Sequence, residues 1–287
     1  MRVSIVVTYY NRPERFSFTL ESLLRQTYKF DEVLIADDCS PSSAEPVVRR
    51  FSHRFESRFE FIRHKTNLGM PGNLNYLLAR ATGDIIINLH DADEIEPRYI
   101  ETLVGLLRRY PHAGLAFTAW RFTDARARRD VPEIPVYSSA PAFFDRYLLR
   151  ALSCPIWGTV ALRKQVIDEF GALDPQFGPL ADIDMWSKVA LKYGICYCAD
   201  PLLVLYPIGT HGNEWRWERY EWGRRINRTN LIRRFSADGS RRRLELLLHE
   251  FRYFGEWIFG MLHLVKNRRW SAVRAGIGVL VRRMQSR

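Results

Sequence analysis

Apolar residues in the first hundred positions follow two alternating patterns, short β-branched runs and longer stretches with helical spacing. The short runs have the length of strands and end in polar residues. They cover residues 3–8, 33–36, 59–62 and 85–89. Between them, apolar residues at helical spacing predict helices that open at Pro13 and near Gly72. This alternation predicts a mostly parallel α/β sheet with helices on both faces.

The rest of the chain shows fewer strand patterns and ends in helix. From Asp124 to Pro141 it is polar, arginine-rich and interrupted by proline, which predicts a loop. Beyond Trp215 the pattern predicts a mainly helical extension. The other predicted elements are a helix after Pro97 up to about Arg109, a strand over 115–120, a helix over 182–193 and short strands over 195–197 and 202–206.

Composition is that of an ordinary globular protein, with 47% hydrophobic and 26% charged residues among 287, which excludes a disordered or fibrous chain. The net charge of +11 lies entirely in residues 215–287, where 18 Lys and Arg face 6 Asp and Glu. Aromatic residues are interleaved with these arginines. Such a tail fits a helical element on an anionic membrane surface and equally a packed helical subdomain with a solvated basic face. We expect no nucleic-acid partner, because no recognised nucleic-acid module accompanies the charge.

The cysteines and the apolar runs restrict the compartment. Cys39, Cys154, Cys196 and Cys198 form no C-x-x-C pair and no zinc-type spacing, so neither a disulfide framework nor a structural metal site is expected. No secretory signal pattern opens the chain, and no apolar run approaches the roughly 18 residues of a spanning helix. We therefore expect a cytoplasmic protein, peripheral on the inner face of the cytoplasmic membrane if the basic tail binds lipid.

Polar residues follow three of the predicted buried strands directly. They are Thr8-Tyr9-Tyr10, Asp37-Asp38 and Asp91-Ala92-Asp93. The carboxyl ends of parallel strands share one edge of a sheet, so these groups should converge on a crevice of nucleotide size. The paired carboxylates of Asp91 and Asp93 suit Mg²⁺ or Mn²⁺ bound together with phosphate oxygens. An acidic turn before a helix explains the same residues without a metal.

Two further segments carry candidate chemistry. In Asp37-Asp38-Cys39-Ser40, Asp38 is placed to accept a hydrogen bond from a base or ribose while Asp37 holds the loop, although a plain turn selects the same residues. Asp182 opens a helix after the Gly178-Pro179 break. It is either a helix cap or a general base that takes a proton from a sugar hydroxyl.

In order along the chain, these segments resemble the family-2 glycosyltransferases. The resemblance covers about residues 1–211 and rests on an ordered series of loose motifs. These are Val-Thr-Tyr-Tyr-Asn-Arg-Pro (7–13), Ser-Leu-Leu-Arg-Gln-Thr-Tyr (22–28), Asp-Asp-Cys-Ser (37–40), Asn-Leu-Gly (67–69), Gly-Asp-Ile-Ile (83–86), Asp-Ala-Asp (91–93) and Asp-Ile-Asp-Met-Trp (182–186).

The resemblance implies a GT-A fold, a Rossmann-like α/β sheet, and inverting transfer from a UDP- or dTDP-linked sugar to a hydroxyl of a cell-surface glycan such as lipopolysaccharide, capsule or exopolysaccharide. The acceptor would be a glycan or lipid-linked glycan. A catalytic domain would span 1–214, with a nucleotide-binding half at 1–95 and an acceptor half at 96–214, followed by the basic extension at 215–287. Carried over by position, the implied roles are nucleotide binding for Thr8, Tyr10, Asp37, Asp38, Asn67 and Asp91, metal binding for Asp91, Asp93 and His211, general base for Asp182, and acceptor contacts for Trp157, Asp184 and Trp186.

Two departures from the family pattern leave alternatives open. Ala181 stands where the family often has Glu before the base, and Tyr206 is followed by Pro207 and, later, His211 where the family has Tyr-Arg-x-His. His211 is then either a metal or phosphate ligand or a loop residue. A sugar-nucleotide-binding module without turnover is one alternative, which the retained acids argue against. A nucleotidyltransferase is another, which the lack of a Gly-rich phosphate loop near Thr8 argues against.

Overall fold

One mixed sheet organises the N-terminal part of the protein. The computed structural model describes residues 1–123, 134–143, 156, 158–206, 231, 239–266, 268, 270, 273, 274 and 277. The strands are β1 Val3–Tyr9, β2 Glu32–Asp37, β3 Arg58–Arg63, β4 Ile85–His90, β5 Glu94–Ile95, β6 Leu115–Phe122, β7 Tyr137–Ser138, β8 Val160–Arg163 and β9 Ile195–Leu205. The helices are α1 Pro13–Leu24, α2 Glu45–Phe51, α3 Gly69–Arg80, α4 Tyr99–Arg109, α5 Ala140–Phe143, α6 Lys164–Phe170, α7 Ala181–Tyr193 and α8 Gly239–Lys266.

The sheet has the order β3-β2-β1-β4-β8-β6-β9-β5, with β7 added to β9. Strands β1 to β4 pair in parallel, and every residue of β2 is buried. A parallel strand needs cover on both faces, which explains why β1, β2 and β4 read as nearly continuous apolar runs. The predicted α/β sheet is therefore confirmed.

The pairing register places the carboxyl ends of β1, β2 and β4 side by side at one edge of the sheet. Thr8 of β1 lies opposite His90 of β4, and Tyr9 lies opposite Asp37 of β2. The turn after β1 leads at once into α1, which begins with Pro13 in its first turn, where the ring's fixed φ suits a helix. Polar residues after β1, β2 and β4 therefore meet at one edge.

Strand β8 runs antiparallel between β4 and β6, and the sequence pattern did not reveal it. Its four residues pair with Ile85–Asn88 of β4, so that the preceding residues 158–159 reach the end of that strand. A reversed strand here departs from a wholly parallel sheet. It also brings a distant part of the chain against the Asp91–Asp93 turn.

Three predicted element boundaries were wrong. The two strands expected at 195–197 and 202–206 are one strand, β9, with an irregularity where its pairing with β6 shifts between Thr118 and Trp120. Helix α3 begins at Gly69 rather than near Gly72. Within the segment predicted as a loop, the described residues include β7 and the start of α5, because Tyr137 and Ser138 pair with β9.

The chain forms two compact units. One comprises residues 1–147 and 153–207, and the other comprises residues 148–152 and 208–287. The predicted boundary at 214 stays a prediction. In the second unit, α8 extends over 28 residues. None of the helices described has the length and apolar character needed to cross a bilayer.

A buried glutamate ties the start of the sheet together. Glu32 begins β2 and is almost inaccessible to water. Its Oε1 accepts hydrogen bonds from the Ser4 hydroxyl (2.5 Å) and the Thr82 amide (2.6 Å), and Arg58 lies 3.1 Å from Oε2. Burial acts to raise the pKa of Glu32, but these donors outweigh it and leave the pKa below its ordinary value of 4.5.

We expect Glu32→Gln to lower the free energy of unfolding by about 1.5–3 kcal/mol at pH 7, since buried donors lose a charged acceptor. Because the folded pKa is lowered, this stabilisation is present above pH 4.5 and is lost as the pH falls through the folded value. Urea unfolding of both proteins at pH 7 and pH 4 measures it. Glu56→Gln is the matched control, because Glu56 is exposed and, among the residues that the structure describes, forms its ion pair with exposed Lys29. An equal loss in both variants would contradict the role of Glu32.

Candidate active site

Three acidic residues predicted from the sequence lie at the carboxyl edge of the sheet. Asp91 and Asp93 are in the turn that follows β4, and Asp182 is in the first turn of α7. All three are buried. Just before β8, Thr159 donates a hydrogen bond to Asp93, and Gly158 lies against Asp182 and His90. The structure thus brings together acids that are 89 and 91 positions apart in the sequence.

Asp91 holds the loop after β1. Its Oδ2 accepts the Tyr10 amide at 2.7 Å, and its Oδ1 forms an ion pair with Arg12 at 2.7 Å. The Thr19 hydroxyl donates to its backbone carbonyl. Burial raises the pKa of Asp91, and the positive charge of Arg12 opposes that effect. Both carboxylate oxygens have protein partners, so here Asp91 shapes the crevice, and its contact with a ribose or a metal stays a prediction.

Asp93 has one carboxylate oxygen that receives no hydrogen bond from the residues described. Its Oδ2 accepts the Thr159 hydroxyl at 2.6 Å and lies 3.8 Å from Nδ1 of His90. Among the described residues, no donor contacts its Oδ1. Burial raises the pKa of Asp93, and His90 and Thr159 partly offset that rise.

Asp93 fits a cation that is shared with a substrate. No group of three His, Cys, Asp or Glu side chains in the described ranges could enclose a metal ion. Mg²⁺ commonly takes only one or two carboxylates and completes its shell with phosphate oxygens and water. The Oδ1 oxygen of Asp93 is a hard ligand in a buried site, where His90 and Thr159 partly offset the effect of burial on the pKa. It suits this mode of Mg²⁺ binding. His211, the other predicted ligand, lies outside the described residues.

Asp182 opens α7 with one oxygen anchored. Its Oδ1 accepts the amide of Ile183 at 2.7 Å, the backbone amide of Asp182 also donates to the carboxylate, and no other described residue donates to Oδ2. Burial raises the pKa of Asp182, and the neighbouring His90 opposes the rise. A carboxylate with a raised pKa and one oxygen without a donor from another described residue is a better proton acceptor than an ordinary exposed aspartate.

Gly158 keeps space between Asp182 and His90. A Cβ atom at residue 158 would overlap Cε1 of His90 and would lie 2.8 Å from Oδ2 of Asp182. The carbonyl of Gly158 accepts the Asn88 side-chain amide at 2.8 Å, which fixes the backbone there. Only glycine fits this position without displacing one of the two side chains.

Sequence reasoning missed His90, Gly158 and Thr159. His90 ends β4, directly before Asp91, and its ring lies near both Asp93 and Asp182. The available signal for His90 was its place at a strand end beside two acids. Gly158 and Thr159 carried no such signal, because β8 was not predicted.

The predicted nucleotide-binding residues line the neighbouring part of the edge. Asp38 is buried, and its Oδ1 accepts the Leu68 amide at 2.7 Å, while the Asn67 side chain donates to the Asp38 carbonyl. Thr8 is half-buried at the end of β1, and Tyr10 is exposed.

Asp37 is fully buried in the loop that follows β2. Its two oxygens accept the amides of Ser40 and Ala44. That is the loop-holding role expected for it, and any effect on a nucleotide is exerted through the loop.

Two of the three predicted acceptor-side residues, Asp184 and Trp186, lie on the same helix as Asp182. On a helix, residues two apart point in different directions, and Asp184 forms an ion pair with Lys188 of the same helix. Trp186 is fully buried, so any influence on an acceptor passes through its neighbours. Trp157 lies outside the described residues.

The chain is similar to the "Putative glycosyltransferase EpsE" of Bacillus subtilis, with 30% identity over 138 residues. That match covers 47% of this chain and 49% of EpsE. An uncharacterized glycosyltransferase of Haemophilus influenzae is 26% identical over 244 residues, 80% of this chain and 73% of that protein. CgeD of Bacillus subtilis matches over 46% of its length, so the chain spans about half of EpsE and CgeD.

Solved structures share the fold. Residues 1–349 of TarS from S. aureus, in complex with UDP-GlcNAc, superpose with a TM-score of 0.68 at 15% identity, covering 89% of this chain and 73% of that one. The mannosyltransferase PcManGT from Pyrobaculum calidifontis, in complex with GDP-Man and Mn²⁺, gives 0.63 at 15% identity, covering 100% and 88%.

The family model described as "Glycosyl transferase family 2" matches residues 4–171, more than half of the chain. The matched segment contains β1 to β4, the Asp91–Asp93 turn and the Gly158–Thr159 segment. The protein belongs to glycosyl transferase family 2.

Proposed function

We propose that the protein is an inverting glycosyltransferase that moves a sugar from a nucleotide-sugar to a hydroxyl acceptor. The observation that carries the proposal is the meeting of Asp93 and Asp182 around His90 and Gly158 at one edge of the sheet. Each acid keeps one oxygen to which no other described residue donates. One acid can serve the leaving diphosphate and the other the attacking hydroxyl.

In this mechanism Asp182 removes the proton of the acceptor hydroxyl while that oxygen attacks the anomeric carbon. Its Oδ1 stays anchored to the Ile183 amide, so Oδ2 receives the proton in a fixed orientation. The bond to the nucleoside diphosphate breaks as the new glycosidic bond forms, through an oxocarbenium-like transition state. Displacement in a single step inverts the anomeric configuration.

Asp93 would hold a Mg²⁺ or Mn²⁺ ion, and such an ion stabilises the negative charge that develops on the leaving diphosphate. The chain's own contribution is the orientation of that carboxylate. Thr159 fixes Oδ2 by donating its hydroxyl hydrogen, and His90 flanks it. PcManGT, which shares the fold, was solved with GDP-Man and Mn²⁺.

We further propose a UDP- or dTDP-linked donor, held by the loops after β1 and β2 with Asp38 toward the nucleoside. TarS, which shares the fold, was solved with UDP and with UDP-GlcNAc. A thermal-shift screen of nucleotide-sugars with Mn²⁺ tests this, since a ligand of the folded state raises its stability. Stabilisation by GDP-linked sugars alone would contradict the proposed base.

The proposed acceptor is a surface glycan carried on a lipid, and the proposed place of action is the cytoplasmic face of the membrane. The support is the distribution of charge. Residues 215–287 carry 18 basic and 6 acidic residues, whereas the rest of the chain is near neutral. A basic segment is attracted to an anionic leaflet.

Asp182→Asn should lower turnover by about 10²–10⁴-fold, the usual contribution of a general base. Donor affinity should stay within about twofold, because asparagine keeps the acceptor oxygen for the Ile183 amide and no donor contact is assigned to Asp182. Release of nucleoside diphosphate, with the acceptor or by slow hydrolysis, measures turnover, and calorimetry measures affinity.

Asp168→Asn is the matched control, because Asp168 is exposed on α6 and its ion pair within the described part of the chain is with Lys164 of the same helix. It should leave turnover unchanged. Near-normal turnover of Asp182→Asn would show that the base is another residue. Donor binding by the wild type without any release of diphosphate would instead favour a sugar-nucleotide-binding module.

Asp93→Asn should abolish metal-dependent donor binding and raise the stability of the metal-free protein. Because burial raises the folded pKa above the ordinary 3.8, Asp93 favours folding below that pH, and this contribution is lost as the pH rises through the folded value. The variant should therefore melt higher at pH 8, by about 2–4 °C for each kcal/mol gained. At pH 4 the difference should shrink.

Differential scanning fluorimetry at the two pH values, with and without Mn²⁺ and nucleotide, makes this measurement. Wild type should gain stability when Mn²⁺ and nucleotide are added together, and the variant should not. Unchanged Mn²⁺-dependent affinity in Asp93→Asn would exclude Asp93 as the metal-side carboxylate.

A further inference from the structure

Helix α8 exposes a long row of large apolar side chains. The row consists of Leu244, Leu247, Leu248, Phe251, Phe254, Ile258, Phe259, Leu262 and Val265. Phe251 and Phe259 are 80% and 76% exposed. Large apolar patches are uncommon on soluble proteins and usually mark a surface that contacts a partner or a lipid.

The row lies on one face of the helix. Its members are spaced by one, three or four positions, and at about 100° per residue they fall within an arc of roughly 140°. At about 1.5 Å per residue the row is roughly 30 Å long. Glu245 falls outside the arc and is buried. A polar residue is therefore buried while the apolar face points to solvent, the reverse of an ordinary packed helix.

We propose that this apolar face inserts into the interface of an anionic membrane, with α8 lying in the membrane plane. The inference rests on the proposed location at the cytoplasmic leaflet and names the surface that makes the contact. Exposed basic residues stand at both ends of the row, Arg243 near its start and Lys266 and Arg268 after its end. Apolar insertion flanked by cationic groups is the design of helices that bind anionic interfaces.

The basic residues at the ends of the row favour an anionic membrane over a second copy of the chain as the contact of this face. Two copies of α8 packed face to face would bring basic residues together in either orientation, since both ends of the row are basic. An anionic leaflet satisfies the same charges. The depth of contact is limited to the interface, because no described helix is long and apolar enough to span the bilayer.

The test uses the full chain and vesicles of phosphatidylcholine alone or with 30% phosphatidylglycerol, about the level that gives an anionic surface. Wild type should sediment with the anionic vesicles and much less with neutral ones. The double variant Phe251→Gln and Phe259→Gln should bind the anionic vesicles at least about tenfold more weakly, because it loses inserted apolar area. Both side chains are mostly exposed, so little packing is lost.

Phe18→Gln is the matched control, because Phe18 is an exposed phenylalanine on α1. It should bind vesicles as wild type does. Lys266→Gln with Arg268→Gln should weaken binding mainly at low salt, since that part of the attraction is screened. If the phenylalanine pair impairs folding, judged by circular dichroism, Leu262→Gln tests the same face with a smaller change.

Three results would overturn the proposal. One is failure of the wild type to bind anionic vesicles at low salt. Another is normal vesicle binding by the phenylalanine variant. The third is a wild-type dimer in analytical ultracentrifugation that the variant dissociates, which would make the face a self-association surface. Donor-induced thermal shifts keep the inference separate from catalysis: the phenylalanine variant should retain them, and Asp182→Asn should still bind vesicles.

Discussion

The site depends on keeping three carboxylates out of water at the end of the central strands. Burial raises the pKa of Asp91, Asp93 and Asp182, so each ionised form carries a cost in the folded protein. The surrounding residues reduce that cost unequally. Arg12 and a backbone amide occupy both oxygens of Asp91, whereas Asp93 and Asp182 each keep one oxygen to which no other described residue donates. Those oxygens are the ones available for chemistry.

The fold supplies this arrangement by inserting a reversed strand. Strands β1, β2 and β4 bring the Asp91 loop and the Asp38 loop to one edge. Strand β8 then delivers Gly158 and Thr159 from the opposite direction, and α7 delivers Asp182. Because Thr159 donates to Asp93 while Gly158 abuts Asp182, a shift of this segment would alter both acids together. The carboxylates of Asp93 and Asp182 are in this way mechanically linked.

Sequence patterns predicted the parts of the fold in which burial is continuous. The β-branched runs of β1, β2 and β4 are buried on both faces, and the acids that follow them lie where the pattern placed them. Strand β8 was not predicted because a run of four residues is too short to show a period. His90 was not predicted as a site residue because it lies beside Asp182, which is 92 positions away in the sequence. Trp186 lies one helical turn from Asp182 on the same face of α7 and is fully buried, and its influence on an acceptor stays a prediction.

Basic residues occur in two different settings in the chain, at the site and in residues 215–287. Around the site, described basic groups offset particular buried acids, as Arg12 does for Asp91. In residues 215–287, 18 basic residues outnumber 6 acidic ones, and α8 adds an exposed apolar face. Unbalanced charge and exposed apolar area both raise the free energy of a free protein in water. An anionic membrane interface lowers both the charge and the apolar contributions to this free energy, whereas a neutral or basic partner lowers at most one of them. This is the physical reason for proposing that α8 contacts a membrane surface.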